Sequence, residues 1–559
     1  MLRRAAGAAR RALAAEQRAR ALSASAGAAA AAAPGGPGLF GIAALQHPAD
    51  FPAWAEDAKA RCGELVAAAL ATPPDASVVR LIDDISDALC QVYDAAECAR
   101  NVHADAAWRA AAGQACQVLG EFLADINHHT GLYNKLVQAQ EAHAAAAAAA
   151  AGDDPAGRQL RQQLLSPAQL AGFCDETLAV AGRYRADFEK YGIHLPSPDA
   201  RRRVARLLAL NQHFPARFNA TLADPRALGT TGVPADELPR AEAARRQVYL
   251  AGACAPAANL ALLDDMLAAR HDLAASLGHA SYAHFKAADA TLAGTPAAAQ
   301  AFLEDLAAGV RGQATAELAQ LTALKRKHTG DAGATLQPWD QDFYARQLAS
   351  GAAAGARGGA ALAPYLSLGS VLAGLDALLG RLMGLSLTQR PLGRGEGWGA
   401  GVMKLEVCCA ALGPLGVLYL DLRPRPGKVP SGGILYPVRC GRELTGGEYQ
   451  QPVLCLVGNL SSASAASGTA DMGATQLSWR EFRTLLHETG HAVHSLVSRT
   501  RYQHVWGTRC SQDVVECPRT SGSTLRPTRA LLSLVDLVYH GPTLPAEAGG
   551  TSEVPSSAT

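Results

Sequence analysis

The sequence predicts a mainly α-helical protein in which a small β-sheet stands beside one helix carrying His487-Glu488-Thr489-Gly490-His491. Three observations carry that reading. From about Leu39 to Lys327 apolar residues recur at spacings of three and four; after Met403 the chain changes to short strand-like runs; and from Ser478 to Val497 the helical spacing returns. A chain of 559 residues suggests roughly two to four domains. With 49% hydrophobic and 18% charged residues it is composed as a globular protein, not as a disordered acidic or basic one. Its 51 Lys+Arg against 50 Asp+Glu leave a formal charge of +1, so no cationic excess points to a nucleic-acid partner. Twelve dilute cysteines form neither a paired zinc framework nor a disulfide scaffold and are expected as reduced thiols. No apolar run approaches the ~20 residues of a membrane span.

The chain opens with Arg3, Arg4, Arg10, Arg11, Arg18 and Arg20 against a lone acidic Glu16 before Gly38. On a helical wheel Arg3, Arg4, Arg10, Arg11 and Arg18 fall within an arc of about 120°, opposite Leu2, Ala9 and Leu13. This amphipathic, acid-poor segment with Ser23 and Ser25 is expected to be a transit peptide, mitochondrial with a plastid as the alternative, spanning residues 1–37 with its linker. Pro34 to Gly38 breaks any helix and marks where a mature domain could begin.

Residues 38–330 are expected to form an N-terminal helical domain, typified by the apolar spacing of Val78-Val79-Arg80-Leu81-Ile82-Asp83-Asp84-Ile85. Ala144–Ala151 and Gly351–Ala360 have the composition of low-complexity loop inserts, although an alanine run can equally lengthen a helix. Residues 331–518 would be an incomplete catalytic domain. Within it Leu405–Val407, Gly416–Leu422, Gly433–Tyr436 and Val453–Val457 are the expected strands. If Cys408 and Cys409 lie on a strand they point to opposite faces, which favours packing over redox chemistry. Ser478 is a candidate N-cap, with Glu481 placed for a capping box.

On the last of these helices His487 and His491, at i and i+4, lie one turn apart and ~40° around the axis, so both imidazoles can approach one metal ion. Glu488, next to the first, is placed to act as a general base on water. Phe482, Leu485, Leu486, Val493, Leu496 and Val497 fall on the opposite side, between ~160° and ~280°. With 16 histidines in the chain, chance gives such a pattern in about two chains in a hundred, so a third ligand matters. Glu516, roughly thirty residues beyond His487 and close to Pro518, is the candidate. The ligand set suits one Zn2+, and cobalt or manganese would also be accommodated. His494, two turns from His487, is expected beside the site or facing solvent and not as a ligand. His504 is expected to be a surface or structural residue with substrate contact as the alternative, and the adjacent His128 and His129 are expected at the surface.

From these motifs outward the sequence resembles the M3, thimet oligopeptidase-like, metallopeptidases. The residues that carry this are Gly38-Leu39-Phe40-Gly41, Asp187-Phe188-Glu189-Lys190-Tyr191-Gly192-Ile193-His194-Leu195, Trp339-Asp340-Gln341-Asp342-Phe343-Tyr344, Leu366-Ser367-Leu368-Gly369 and Asp421-Leu422-Arg423-Pro424-Arg425. Gly490 to Ser495, Arg499 to Val505 and Gly507-Thr508-Arg509-Cys510 are similar to the intermediate-peptidase branch of that family. The resemblance covers about residues 38 to 518. It implies an elongated two-lobed helical enzyme with a zincin-like helix at the bottom of a deep channel. It also implies zinc on His487, His491 and Glu516, Glu488 as base, and substrates that are unfolded peptides or imported precursors losing an N-terminal octapeptide. A monomer is the expected state.

After Pro518 the family pattern stops. Ser521, Gly522, Ser523 and Pro527 break the helix that should follow the third ligand, and Leu534 to Gly541 is similar to a family segment placed further along. The expectation is that an internal segment and the C-terminal part of the catalytic domain are missing, with residues 519–559 an anomalous, disordered tail. The family's C-terminal tyrosine and histidine residues have no counterpart. Two other readings follow: an inactive product acting at most as a peptide-binding or regulatory fragment, which bound zinc with chelator-sensitive cleavage would exclude, and a general organellar oligopeptidase, which motifs do not separate from precursor processing.

Overall fold

The computed structural model describes residues 36–151, 173–222, 241–253, 257–290, 293–355, 365–460, 475–516 and 539–540. Nearly all of the expected leader and tail, and residues 356–360 of the Gly/Ala stretch, lie outside them. Two compact units are formed, and neither is continuous in sequence. The first draws on Met1–Ile126, Gln138–Thr177 and Leu366–Arg509, the second on Asn127–Val137, Leu178–Tyr365 and Cys510–Thr559.

The first unit begins with helices α1 (Asp50–Ala71) and α2 (Ala76–Val102), which pack together. Asp75 caps α2 by accepting the Ser77 N–H, and the helix buries Val78, Val79, Ile82, Ile85, Leu89 and Val92. Helix α3 (Ala106–Asn127) precedes α4 (Thr130–Ala151). Here the alanine run is helix, not loop: alanine has the lowest helical cost, so eight in succession extend α4 to its end.

The second unit takes the first residues of α4 and then the helices α5 (Asp175–Glu189), which starts in the first unit, α6 (Pro198–Leu222), α7 (Glu242–Ala253), α8 (Ala257–Ser276), α9 (Tyr282–Ala290), α10 (Pro296–Thr329) and α11 (Gln341–Gly355). Helix α10 shows the local causes: Thr295 caps it, Pro296 sits where its missing N–H costs nothing, and Gly330 ends it at φ 71°. Trp339–Tyr344 is anchored by Asp340, whose carboxylate is fully buried against Arg245 at 2.7 Å and Lys325 at 2.5 Å.

The first unit resumes with α12 (Leu368–Met383), capped by Ser367, and a sheet of β1 (Leu385–Arg390), β2 (Met403–Cys409), β3 (Gly413–Asp421), β4 (Ile434–Arg439) and β7 (Val453–Val457) in the order β1-β2-β3-β7-β4. Only β3 and β7 run parallel. Every residue of β7 is buried, which explains its unbroken apolar run. A two-residue pair, β5 (Arg442–Glu443) and β6 (Tyr449–Gln450), stands apart. All ten described cysteines are free thiols, and Cys408 and Cys409 end β2 half-buried. Among the described residues no helix is long and apolar enough to cross a membrane.

At the end of β3 the Lys428 ammonium is wholly buried, donating to Asp421 Oδ1 at 2.9 Å and to the Gly458 carbonyl at 2.6 Å. Burial pulls its pKa down, against the pull of Asp421 upward. Replacing Asp421 by leucine would leave that charge uncompensated. The expected cost is about 3–5 kcal/mol of stability, read as a lower denaturant midpoint.

Candidate metal centre

Helix α13 (Trp479–Val497) is started by reciprocal bonds: Glu481 N–H to Ser478 Oγ at 3.2 Å and Ser478 N–H to Glu481 carboxylate at 2.8 Å. Such caps hold a helix end by about 1 kcal/mol. Leu485, Ala492 and Leu496 are buried against Leu405, Leu418, Leu420, Leu454 and Leu456 of the sheet, with Phe482, Leu486, Val493 and Val497 packed around them. The sheet therefore fixes the rotation of α13, and the histidines emerge on its other face.

There His487 Nε2 and His491 Nε2 lie 3.1 Å apart, with ring planes 77° from parallel. Two nitrogens bound at ~2.0–2.1 Å to one tetrahedral ion stand about 3.3 Å apart, so the observed pair fits that donor geometry. Glu516, directly after the short helix α14 (Gln512–Val515), supplies a carboxylate. One ligand atom each from His487, His491 and Glu516 all lie within 4.8 Å of one another, the one such group of metal-ligating side chains among the described residues. Glu488 Oε1 is 4.0 Å from His487 Nε2, and its side chain is 11% exposed.

Gly433, at the entry to β4, passes close to this carboxylate. A Cβ there would stand 2.5 Å from Thr484 Cγ2 and 2.9 Å from Glu488 Cγ, so only glycine lets the strand lie against the helix.

The description "Peptidase family M3" matches residues 238–535, which include α13 and Glu516. The chain is 31% identical to mitochondrial intermediate peptidase of Arabidopsis thaliana over 86% of its own length and 70% of the relative's. It is 31% identical to the Pleurotus djamor protein of that name, covering 93% and 71%. It is 32% identical to the human one, covering 86% and 65%. The chain belongs to peptidase family M3. It is a metallopeptidase of mainly helical fold with a small mixed sheet, and its relatives assign it to the mitochondrion.

In this M3 chain the other histidines separate from the group. His494 is half-buried on α13, its pKa lowered by burial and then by His491, and it contributes no atom to the cluster. His504 lies in the 3-10 turn Gln503–Val505, where its N–H donates to Asp83 Oδ1 at 3.2 Å. His128 and His129 are both half-buried. His129 Nδ1 accepts the Leu132 N–H at the start of α4, and His128 meets Tyr191 edge-on at 5.7 Å. Adjacent residues at a helix junction can each serve a different neighbour.

Two parts of the M3 site region escaped the sequence reading. Gly433 begins an expected strand, and its approach to Glu488 has no local signature in the sequence. Asp83, Ser86, Asp87, Cys90 and Asp94 line one side of α2 within an arc of about 100°. Their spacing was a legible signal, since polar groups on a helix that also buries a long apolar face need a protein partner.

Proposed function

We propose that the chain is a zinc-dependent endopeptidase of the mitochondrial intermediate peptidase type, which removes an N-terminal octapeptide from imported precursors. The observation that supports it most is the convergence of ligand atoms from His487, His491 and Glu516 with Glu488 alongside. The names of the relatives support the precursor-processing reading.

In this reading His487 and His491 present neutral Nε2 atoms and Glu516 a carboxylate oxygen to one divalent ion. When bound, such an ion acts as a Lewis acid on the scissile carbonyl and makes water a stronger acid. Glu488 takes the proton of the attacking water on a carboxylate oxygen and delivers it to the departing amine nitrogen. The apolar packing under α13 holds its backbone still while the proton moves.

The test uses the purified full chain. Zinc is measured by mass spectrometry, and a peptide spanning a precursor's octapeptide and mature N-terminus is incubated with and without chelator. Stoichiometric zinc and chelator-sensitive release of the octapeptide are expected. Scattered cleavage along the peptide would favour general oligopeptidase action, and absence of cleavage with zinc bound would defeat the catalytic reading.

A second expectation concerns Gly433→Ala. The added methyl displaces the Glu488 side chain, and a misplacement near 1 Å can cost up to ~10²-fold in rate. Turnover should fall by at least about tenfold with zinc content unchanged.

A further inference from the structure

Beyond α13 the chain does not wander. Residues 498–509 are fastened to the Asp83 side of α2. Asp83, with 0% exposure, accepts the N–H groups of Gln503 and His504, both at 3.2 Å, and faces Arg442 at 3.3 Å. Gln503, also fully buried, donates Nε2 to Ser86 Oγ at 2.5 Å and accepts from Arg509. Arg509 in turn pairs with Asp94 at 2.8 Å and reaches Cys90 Sγ at 3.4 Å. Trp506 is buried between these points, and Gly507, at φ 57°, lies so close to Ser495 of α13 that a Cβ would meet its Oγ at 2.9 Å.

This arrangement is poor as a source of net stability. Burial raises the carboxyl pKa of Asp83, opposed chiefly by Arg442, and holds that of Asp94 up at about 6. An apolar interface of the same size would fold as well or better, since buried ion pairs roughly break even against apolar packing. What the network supplies is direction: hydrogen bonds at defined atoms fix where the chain leaves α13 and where it stands at Arg509. Only Cys510 to Val515 then separate Arg509 from Glu516.

We propose that Asp83, Ser86 and Asp94 of α2, acting through Gln503 and Arg509, are positioning residues for the metal centre. They hold the segment between the two histidines and Glu516 and thereby set the affinity for the ion. The inference rests on the zinc reading above. It assigns to a helix some four hundred residues upstream a role comparable to outer-shell partners of metal ligands, whose loss typically costs about 10–100-fold in metal affinity.

The experiment measures the zinc dissociation constant of the full chain by chelator competition, well below its unfolding temperature, for wild type, Asp83→Asn, Ser86→Ala and Tyr419→Phe. Tyr419→Phe is the stability control: it removes the buried bond from Tyr419 to Glu396 at 2.6 Å, on β3 and outside the network. Asp83→Asn and Ser86→Ala should raise the dissociation constant by about tenfold or more, with Tyr419→Phe at the wild-type value. If Asp83→Asn does not fold, the milder Ser86→Ala decides. Wild-type affinity in the α2 variants, or an equal loss in Tyr419→Phe, overturns the inference alone. A wild-type chain that takes up no zinc overturns the metal-site reading and this inference with it.

Discussion

Glu488→Gln should lower turnover by about 10²- to 10⁴-fold while leaving one zinc per chain. Glutamine matches glutamate in shape, so the packing against Gly433 and Thr484 is kept, and with it the position of α13. What is lost is the proton acceptor. An amide oxygen neither removes a proton from water near neutral pH nor returns one to the leaving amine, so both halves of the transfer fail together. Because the change falls on the chemical step, KM should move far less than kcat. Zinc content is the second readout: Glu488 is not one of the three side chains at ligand spacing, so its exchange should not release the ion. Variant protein purified without metal would show that Glu488 holds the ion and that the assigned roles are wrong.

His491→Ala should abolish metal binding at physiological concentrations. His491 is 9% exposed, and its Nε2 lies 3.1 Å from that of His487, so the two rings would hold a shared ion together. Alanine leaves one imidazole and one carboxylate, a pair common on protein surfaces that hold no metal. The loss should exceed the roughly 10–100-fold that follows removal of an outer-shell partner. Helix propensity at the site rises with alanine, so the fold should survive. The wild-type protein should therefore show a zinc-dependent rise in unfolding temperature, by linkage of binding to folding, that His491→Ala lacks. An unchanged dissociation constant in this variant would remove His491 from the centre.

The helix that carries these residues was legible from sequence because each local cue agreed: a capping box at Ser478 and Glu481, apolar positions on one side, histidines on the other. The strands β2, β3, β4 and β7 were legible as alternating or unbroken apolar runs between turns. Strand β1 was not, since it is an outer strand with only Leu385 buried and so carries almost no pattern. The alanine run was ambiguous because propensity favours helix there while no side chain offers a face to read. Glu516 could be nominated as an acid downstream, but its approach to the histidines depends on the path of the chain, which local spacing does not encode. The same limit hid Gly433, whose neighbour Glu488 lies in another element.

The partnership of Asp83 with Arg442 joins residues 359 positions apart. During vectorial synthesis α2 emerges early, and Asp83 lacks the guanidinium of Arg442 until 359 further residues have been made. Nascent α1 and α2 can associate, yet the Asp83 carboxylate must stay hydrated until then. Closure of such a long loop is entropically slow, which leaves a window in which the sheet-forming segments are exposed to intermolecular pairing. Refolding from denaturant should therefore be concentration-sensitive, with yield falling as more chains wait together for their distal cations.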